Sequence, residues 1–132
     1  MEDKSINRTS LSWGYAFREA LEADEAVMAI ATKVVWLKAR DASLPYIYMI
    51  QEGGEEEQTK QGAADTITVS IYCLAEDIND MVDLCERVRT CLDSAQWKSD
   101  CGLTVRSCFY RGAQEVPDED AYVKKLIFNA KL

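Results

Sequence analysis

The sequence predicts an α+β domain: an antiparallel sheet of about five strands with two amphipathic helices on one face, in the order α-β-β-β-α-β-β. Three observations predict it. Thr66–Ala75 and Leu103–Arg111 alternate apolar and polar residues with period two, whereas Leu11–Asp24 and Ile78–Ser94 carry apolar residues at helical spacing. Strand-like segments follow one another three and then two at a time, which suits hairpins rather than βαβ winding. The 132 residues are one domain's worth. A chain of that length buries about two-thirds of its unfolded surface without help from a metal or a disulfide.

Residues 1–9 are polar and charged and are expected to form a flexible N-terminal arm. In the first helix, Trp13, Phe17, Ala20 and Leu21 fall on one face, and Thr9 or Ser10 can cap its start. Asp24 breaks the pattern, and Glu25–Ala31 adds a short further turn. Val34–Lys38 is a short β-branched strand, Ala39–Leu44 a connection, and Pro45–Glu52 a second strand that Gly53-Gly54 ends. Residues 51–65 have no hydrophobic period and a net charge of −4, which predicts a long acidic loop. In Thr66–Ala75, Ile67, Val69, Ile71 and Cys73 face one way and Thr68, Ser70 and Tyr72 the other.

Asp77 caps the next helix, whose expected buried stripe is Ile78, Met81, Val82, Cys85, Val88 and Leu92. Leu103, Val105, Ser107 and Phe109 then alternate with Thr104, Arg106, Cys108 and Tyr110. Gly112–Asp120 reads as a turn, and Ala121–Leu132 as a last strand with Leu126, Phe128 and Ala130 on one face. Two helices cover one face of such a sheet. The other is then partly polar or meets a partner, and Tyr46, Tyr48, Tyr72 and Tyr110 are expected there.

Composition narrows the chemistry. Apolar residues make up 48% and charged residues 29%, which excludes wholesale disorder. The net charge of −8 argues against wrapping nucleic acid or binding anionic membrane by charge. No uncharged run exceeds ten residues, so no membrane span is expected, and Met1-Glu2-Asp3-Lys4 opens no signal peptide. Histidine is absent, which removes Ser-His-Asp and Cys-His catalysis and histidine metal sites. Cys73, Cys85, Cys91, Cys101 and Cys108 are odd in number and show no CxxC spacing, so reduced, mostly buried thiols are expected. Glu55–Glu57 and Asp118–Asp120 are acidic enough for Mg²⁺, but consecutive loop carboxylates diverge and read as solvated charge. Gly53-Gly54 lacks the GK[ST] sequence and following helix of a phosphate loop. Trp36 and Trp97 read as core filling before interface anchors.

The order of segments has a further content. A helix ends in Leu21-Glu22-Ala23-Asp24 and runs on through Glu25–Ala31. Then come Val34–Ala39, the strand LPYIYMIQEG from Leu44, the strand DTITVSIYCLAED from Asp65, an amphipathic helix and a final apolar strand. Across roughly residues 11–132 this resembles the tail-completion, or tail-to-head joining, proteins of long-tailed bacteriophages, close to the tail terminators. Leu44-Pro45-Tyr46 and the alternating Thr66–Tyr72 stretch carry the likeness, while the cysteine-rich Cys85–Cys108 stretch and the acidic loop depart from it.

The resemblance implies a structural virion protein without enzyme activity, catalytic residues, metal or cofactor. It implies a homo-oligomeric ring, usually of six, at the neck. That ring would terminate the tail tube and join it to the head connector or head-completion protein, with DNA passing through the lumen unbound and no membrane involved. Within such a ring Glu55, Glu56, Glu57, Lys60, Tyr48, Tyr72, Arg106 and Arg111 are the candidate interface residues. The acidic stretch would meet a neighbour's Arg106, Arg111 or Lys124. Two other readings share the composition: a cytosolic adaptor or antitoxin-like binding module, and a small Mg²⁺-dependent hydrolase.

Overall fold

The computed structural model describes residues 8–36, 43–59 and 62–132, with the backbone alone for 54–59 and 62–64. A 3₁₀ turn at Ser10–Ser12 leads into α1 (Trp13–Glu22) and α2 (Glu25–Met28), followed by β1 (Val34–Trp36), β2 (Tyr46–Thr59) and β3 (Gly62–Ala75). Then come α3 (Ile78–Leu92), β4 (Trp97–Lys98), β5 (Thr104–Val105), β6 (Ser107–Val116) and β7 (Tyr122–Lys131). The main sheet has the order β1-β2-β3-β7-β6, and β4–β5 forms a separate small hairpin. The α+β class and the order of elements are as expected. The sheet is mixed, because β1 lies parallel to β2 while every other neighbour in it is antiparallel. Three residues are too few for a pattern of period two to reveal direction.

Local signals account for the helix boundaries. The Thr9 hydroxyl accepts from Leu11 N, and the Asp24 carboxylate that interrupts the first helix accepts from Val27 N at 3.1 Å and so starts the second. Asp77 does the same for α3 through Asn79 N at 2.7 Å. The buried stripe of α3 is Met81, Leu84, Cys85, Val88 and Leu92, whereas Ile78 and Val82 are 52% and 42% exposed. The expected stripe was thus rotated toward one edge. Leu84 completes the i, i+3, i+4, i+7 spacing that Val82 cannot.

The helices cover the sheet face bearing Ile47, Met49, Ile67, Val69, Ile71, Cys73, Leu126, Phe128 and Ala130, all buried. Trp36 packs edge-on against Trp13 at 5.3 Å and Tyr15 at 5.4 Å between ring centroids. Gly14 makes this possible: a Cβ there would overlap the Trp36 indole. Trp97 packs on Phe17 and donates from Nε1 to the Ala16 carbonyl at 3.1 Å, which ties the small hairpin to α1. Both tryptophans therefore serve the core.

Two stretches differ from expectation. Residues 51–65 are not a loop: β2 and β3 pair from Tyr46↔Leu74 to Thr59↔Gly62, with a register shift between Gln51 and Gly53 that leaves Glu52 as the extra residue. β7 reaches only as far as Thr66 on β3, so Glu56–Thr59 and Gly62–Asp65 continue as a two-stranded ribbon beyond the sheet. A ladder needs only backbone groups, and a ribbon past its last neighbour needs no apolar period. Lys60 lies outside the described residues.

The second difference is in β6. Arg106 N donates to the Lys131 carbonyl at 2.7 Å between β5 and β6, and the alternation changes phase there. Leu103, Val105 and Cys108 are buried, while Phe109 is 51% exposed. A bulge at Arg111, with Gly112 at φ +147°, lets β6 run on to Val116, so only Pro117–Ala121 turns.

Two variants test this packing. Val88→Asp puts an unpaired charge into the α3 stripe and should cost about 3–5 kcal/mol, seen as lost cooperative melting. Gly14→Ala raises helix propensity but displaces Trp36. It should still lower stability by about 1–2 kcal/mol in denaturant titration, overpacking outweighing the helix gain.

Candidate functional site

The described residues offer little for catalysis. No group of three or more His, Cys, Asp or Glu side chains among them converges on a metal position. All five cysteines are free thiols. Burial pushes Cys91 and Cys108 up to about 12, and Cys73, hydrogen-bonded to Cys85 in the core, stands well above its ordinary value. Nucleophilic thiolate is therefore scarce at these positions.

Surfaces are better developed. On the sheet face away from the helices, Tyr46, Tyr48, Leu74 and Val123 form a second buried cluster, with Ile50 and Tyr72 packed against it. Tyr48 and Tyr72 stack in parallel at 4.3 Å. Burial, ahead of the neighbouring Tyr72, pushes the Tyr48 hydroxyl up to about 12. Tyr48 is thus an internal support, and Tyr72 is its half-buried outer layer. Tyr110, expected on this face, lies on the helix side instead, edge-on to Phe128 with the Arg89 guanidinium 3.9 Å from its ring centre. The bulge that precedes Tyr110's partner Phe128 on the far strand's course does not alter this, because the phase change at Arg106 already turned β6 over.

Glu52, the bulge residue, anchors the rim of the tyrosine face. Its Oε2 accepts from the Tyr72 hydroxyl at 3.3 Å and from Lys125 Nζ at 3.4 Å. The Ser70 hydroxyl, although short of full hydrogen-bond geometry, leads the groups that hold this carboxyl below its ordinary value of 4.5; Lys125 and Tyr72 add to it against desolvation.

The sheet order separates the charges of the predicted interface. Glu55 stands on β2 opposite Thr66, at the root of the ribbon, and Glu56 and Glu57 belong to its β2 arm. Arg106 and Arg111 lie on the β6 side of the sheet, both exposed, and neither has an ion pair among the described residues. They are not one patch: Arg106 stands at the end nearest the ribbon's root, beside Lys131, and Arg111 at the bulge further along. Lys124, the third candidate cation, is engaged by Glu115 at 3.0 Å.

The sequence reading missed what surrounds Arg106. A groove of about 510 Å³ runs between Arg106, Leu103, Arg8, Leu11 and Asp65. Leu11 is 82% exposed, and its place outside the Trp13–Phe17–Leu21 phase was the available signal. Asp65 accepts from the Ser10 hydroxyl through Oδ2, while its Oδ1 is buried without a partner.

The Glu52 contacts give a pH-dependent expectation. A carboxyl whose folded pKa is depressed stabilises the fold above its unfolded value, and that contribution is lost as pH falls through the folded value. Glu52→Gln should therefore melt slightly below the parent at pH 7, and the difference should start to shrink as pH falls past about 4.3 and vanish once pH is below the folded value, in paired thermal melts. The partial exposure of Glu52 keeps the effect small.

No curated protein matches the chain. The fold is similar to a chain from the virion of a native gene transfer agent particle, with a TM-score of 0.75 over 89% of this chain and 92% of that one at 18% identity. The family model for tail completion protein gp17 matches residues 16–131, nearly the whole of the described fold, and the chain belongs to that family of structural, non-enzymatic virion proteins.

Proposed function

We propose that the chain forms a ring, of six copies, at the head-proximal end of the tail. There it stops growth of the tail tube and joins the tail to the head connector, with DNA passing through its lumen. Membership of the tail completion family supplies the virion role. The observation that favours a ring is the inequality of the sheet's two edges. One edge carries the three-residue β1 and the acidic β2–β3 ribbon, and the other carries the ten-residue β6, with Phe109, Arg106 and Arg111 exposed. Ser94 N and the Asp93 carboxylate bond the outer side of β6 at Cys108 and Tyr110, and from Arg111 to Val116 no further strand among the described residues pairs it. An open stretch of edge strand is a template for pairing with another chain. Surfaces that differ from one another meet head to tail, and such contacts close into rings when the rotation permits.

The net charge of −8 favours a lumen that does not hold phosphate. A strongly basic lining would retain DNA rather than let it pass.

Particles made without the chain should carry tubes of irregular length and unattached heads under the electron microscope. Normal, joined tails in its absence would overturn the reading. The free protein should show no salt-sensitive binding of duplex DNA in an electrophoretic shift at low ionic strength. A tight complex that dissolves between 50 and 200 mM salt would contradict the lumen assignment.

A further inference from the structure

We infer that the trough between α3 and β6 receives an extended segment of another virion protein. The segment adds a strand to β6 at Arg111–Val116 and carries Lys or Arg at the end that meets the Pro117–Ala121 turn. The inference needs the virion role and not the ring.

Open backbone is the first support. Half of the N–H and C=O groups of an edge strand turn away from its neighbour and need other partners. The chain itself supplies them along the first half of β6: Ser94 N donates to the Cys108 carbonyl at 2.6 Å, and Tyr110 N donates to Asp93 Oδ1 at 3.0 Å. At the bulge this stops. Among the described residues only β7 bonds the main chain from Arg111 to Val116. The first residue unable to donate to an added strand is Pro117, just beyond that stretch.

Shape is the second. Ala113 lies on the helix side of β6, opposite Leu126, and is too small to fill the space beside α3. Two hollows of about 140 and 530 Å³ follow one another along the same two elements. Val82 and Ala113 line the smaller, Met81 and Val116 the larger. Val82 and Ile78, one turn apart on α3, are the apolar residues left 42% and 52% exposed there. A strand added at the usual spacing of about 4.8 Å turns every second side chain toward the helix side, where Val82 stands. A sheet edge flanked by a helix takes extended peptides in this way: main-chain bonds give affinity, and alternate side chains fill the hollows.

Charge identifies the occupant. The larger hollow is lined by Glu76, Glu115, Asp118, Glu119 and Asp120, with no Lys or Arg in its wall. Lys124 answers Glu115 from outside it. The excess of negative charge calls for cations on the segment. A second copy of this chain is a poor occupant. Its other uncovered strand edge, β2 beyond Met49 where β1 ends, holds Glu52 and Glu55–Glu57, so acid would meet acid. Arg106 and Phe109 lie before the bulge, outside this contact.

The test uses the full chain in assembled particles. A photo-crosslinking residue replacing Val82 should join the chain to a different virion protein. The joined segment, mapped by mass spectrometry, should alternate apolar residues and carry Lys or Arg at one end. Backbone hydrogen exchange at 111–116 should be slower in the particle than in the free chain, on the order of tenfold or more. E76K/E119K/D120K should cut the crosslink yield about tenfold, as several weak exposed ion pairs acting together imply. Changing the mapped cations of the segment to Glu should restore it, which also shows that the triple variant folds. A crosslink to a second copy of this chain, a joined segment without a cation, equal exchange in both states, or a yield indifferent to the charge reversal would overturn the inference and leave the virion role standing.

Discussion

The fold depends on β3 being paired on both sides. From Thr66 to Leu74 each residue has a partner on β2 and another on β7, as Val123–Lys131 of β7 has between β3 and β6. Its inward residues Ile67, Val69, Ile71 and Cys73 are fully or almost fully buried, and they form the floor on which α3 rests. Its outward residues support the tyrosine stack. Because one strand contributes to both apolar clusters, the two faces of the sheet cannot shift relative to each other. A slip of one residue would exchange the two sets of side chains. The ribbon continues β3 and β2 beyond this fixed register, so its direction is set by the most constrained part of the molecule.

What could be read from the sequence follows the same logic. Thr66–Ala75 and the 126–130 face of β7 were legible because each has a core on one side and alternates accordingly. The α3 helix was legible as an element, but its face was read a fraction of a turn out. Ile78 and Val82 are as apolar as the residues that are buried, and periodicity does not say where the sheet ends. The ribbon was illegible because a ladder with nothing packed on it is written in backbone hydrogen bonds, which every residue except proline supplies. The phase change at Arg106 was hidden in the same way: a single residue's main chain, bonded to Lys131, turned the following strand over.

The candidate site was legible in its parts and not in its arrangement. Charge counting picked out Glu55–Glu57, Arg106 and Arg111, but only the strand order shows that acid and base occupy opposite edges. Tyr48 was taken for a surface anchor because two helices cover only one face of the sheet, and the other was expected to be partly polar or to meet a partner. In fact the sheet's second face has enough apolar neighbours, Leu74 and Val123 among them, to enclose it. Arg8 drew no attention and Asp65 was counted only as one more acidic residue of the 51–65 stretch; they come together because the start of the chain's described part folds back against the root of the ribbon.

The burial of the thiols has a consequence for the life of the particle. A virion protein is made in a reducing cell and then persists outside it, where oxidants act for long periods without any enzyme to reverse the damage. Oxidation proceeds through the thiolate and requires access. Cys73 and Cys108 are enclosed in the core, and Cys91 and Cys108 are held near pKa 12, so at these positions the reactive form is rare as well as hard to reach. At Cys91 and Cys108 the cysteine-rich stretch therefore ages slowly in the fold.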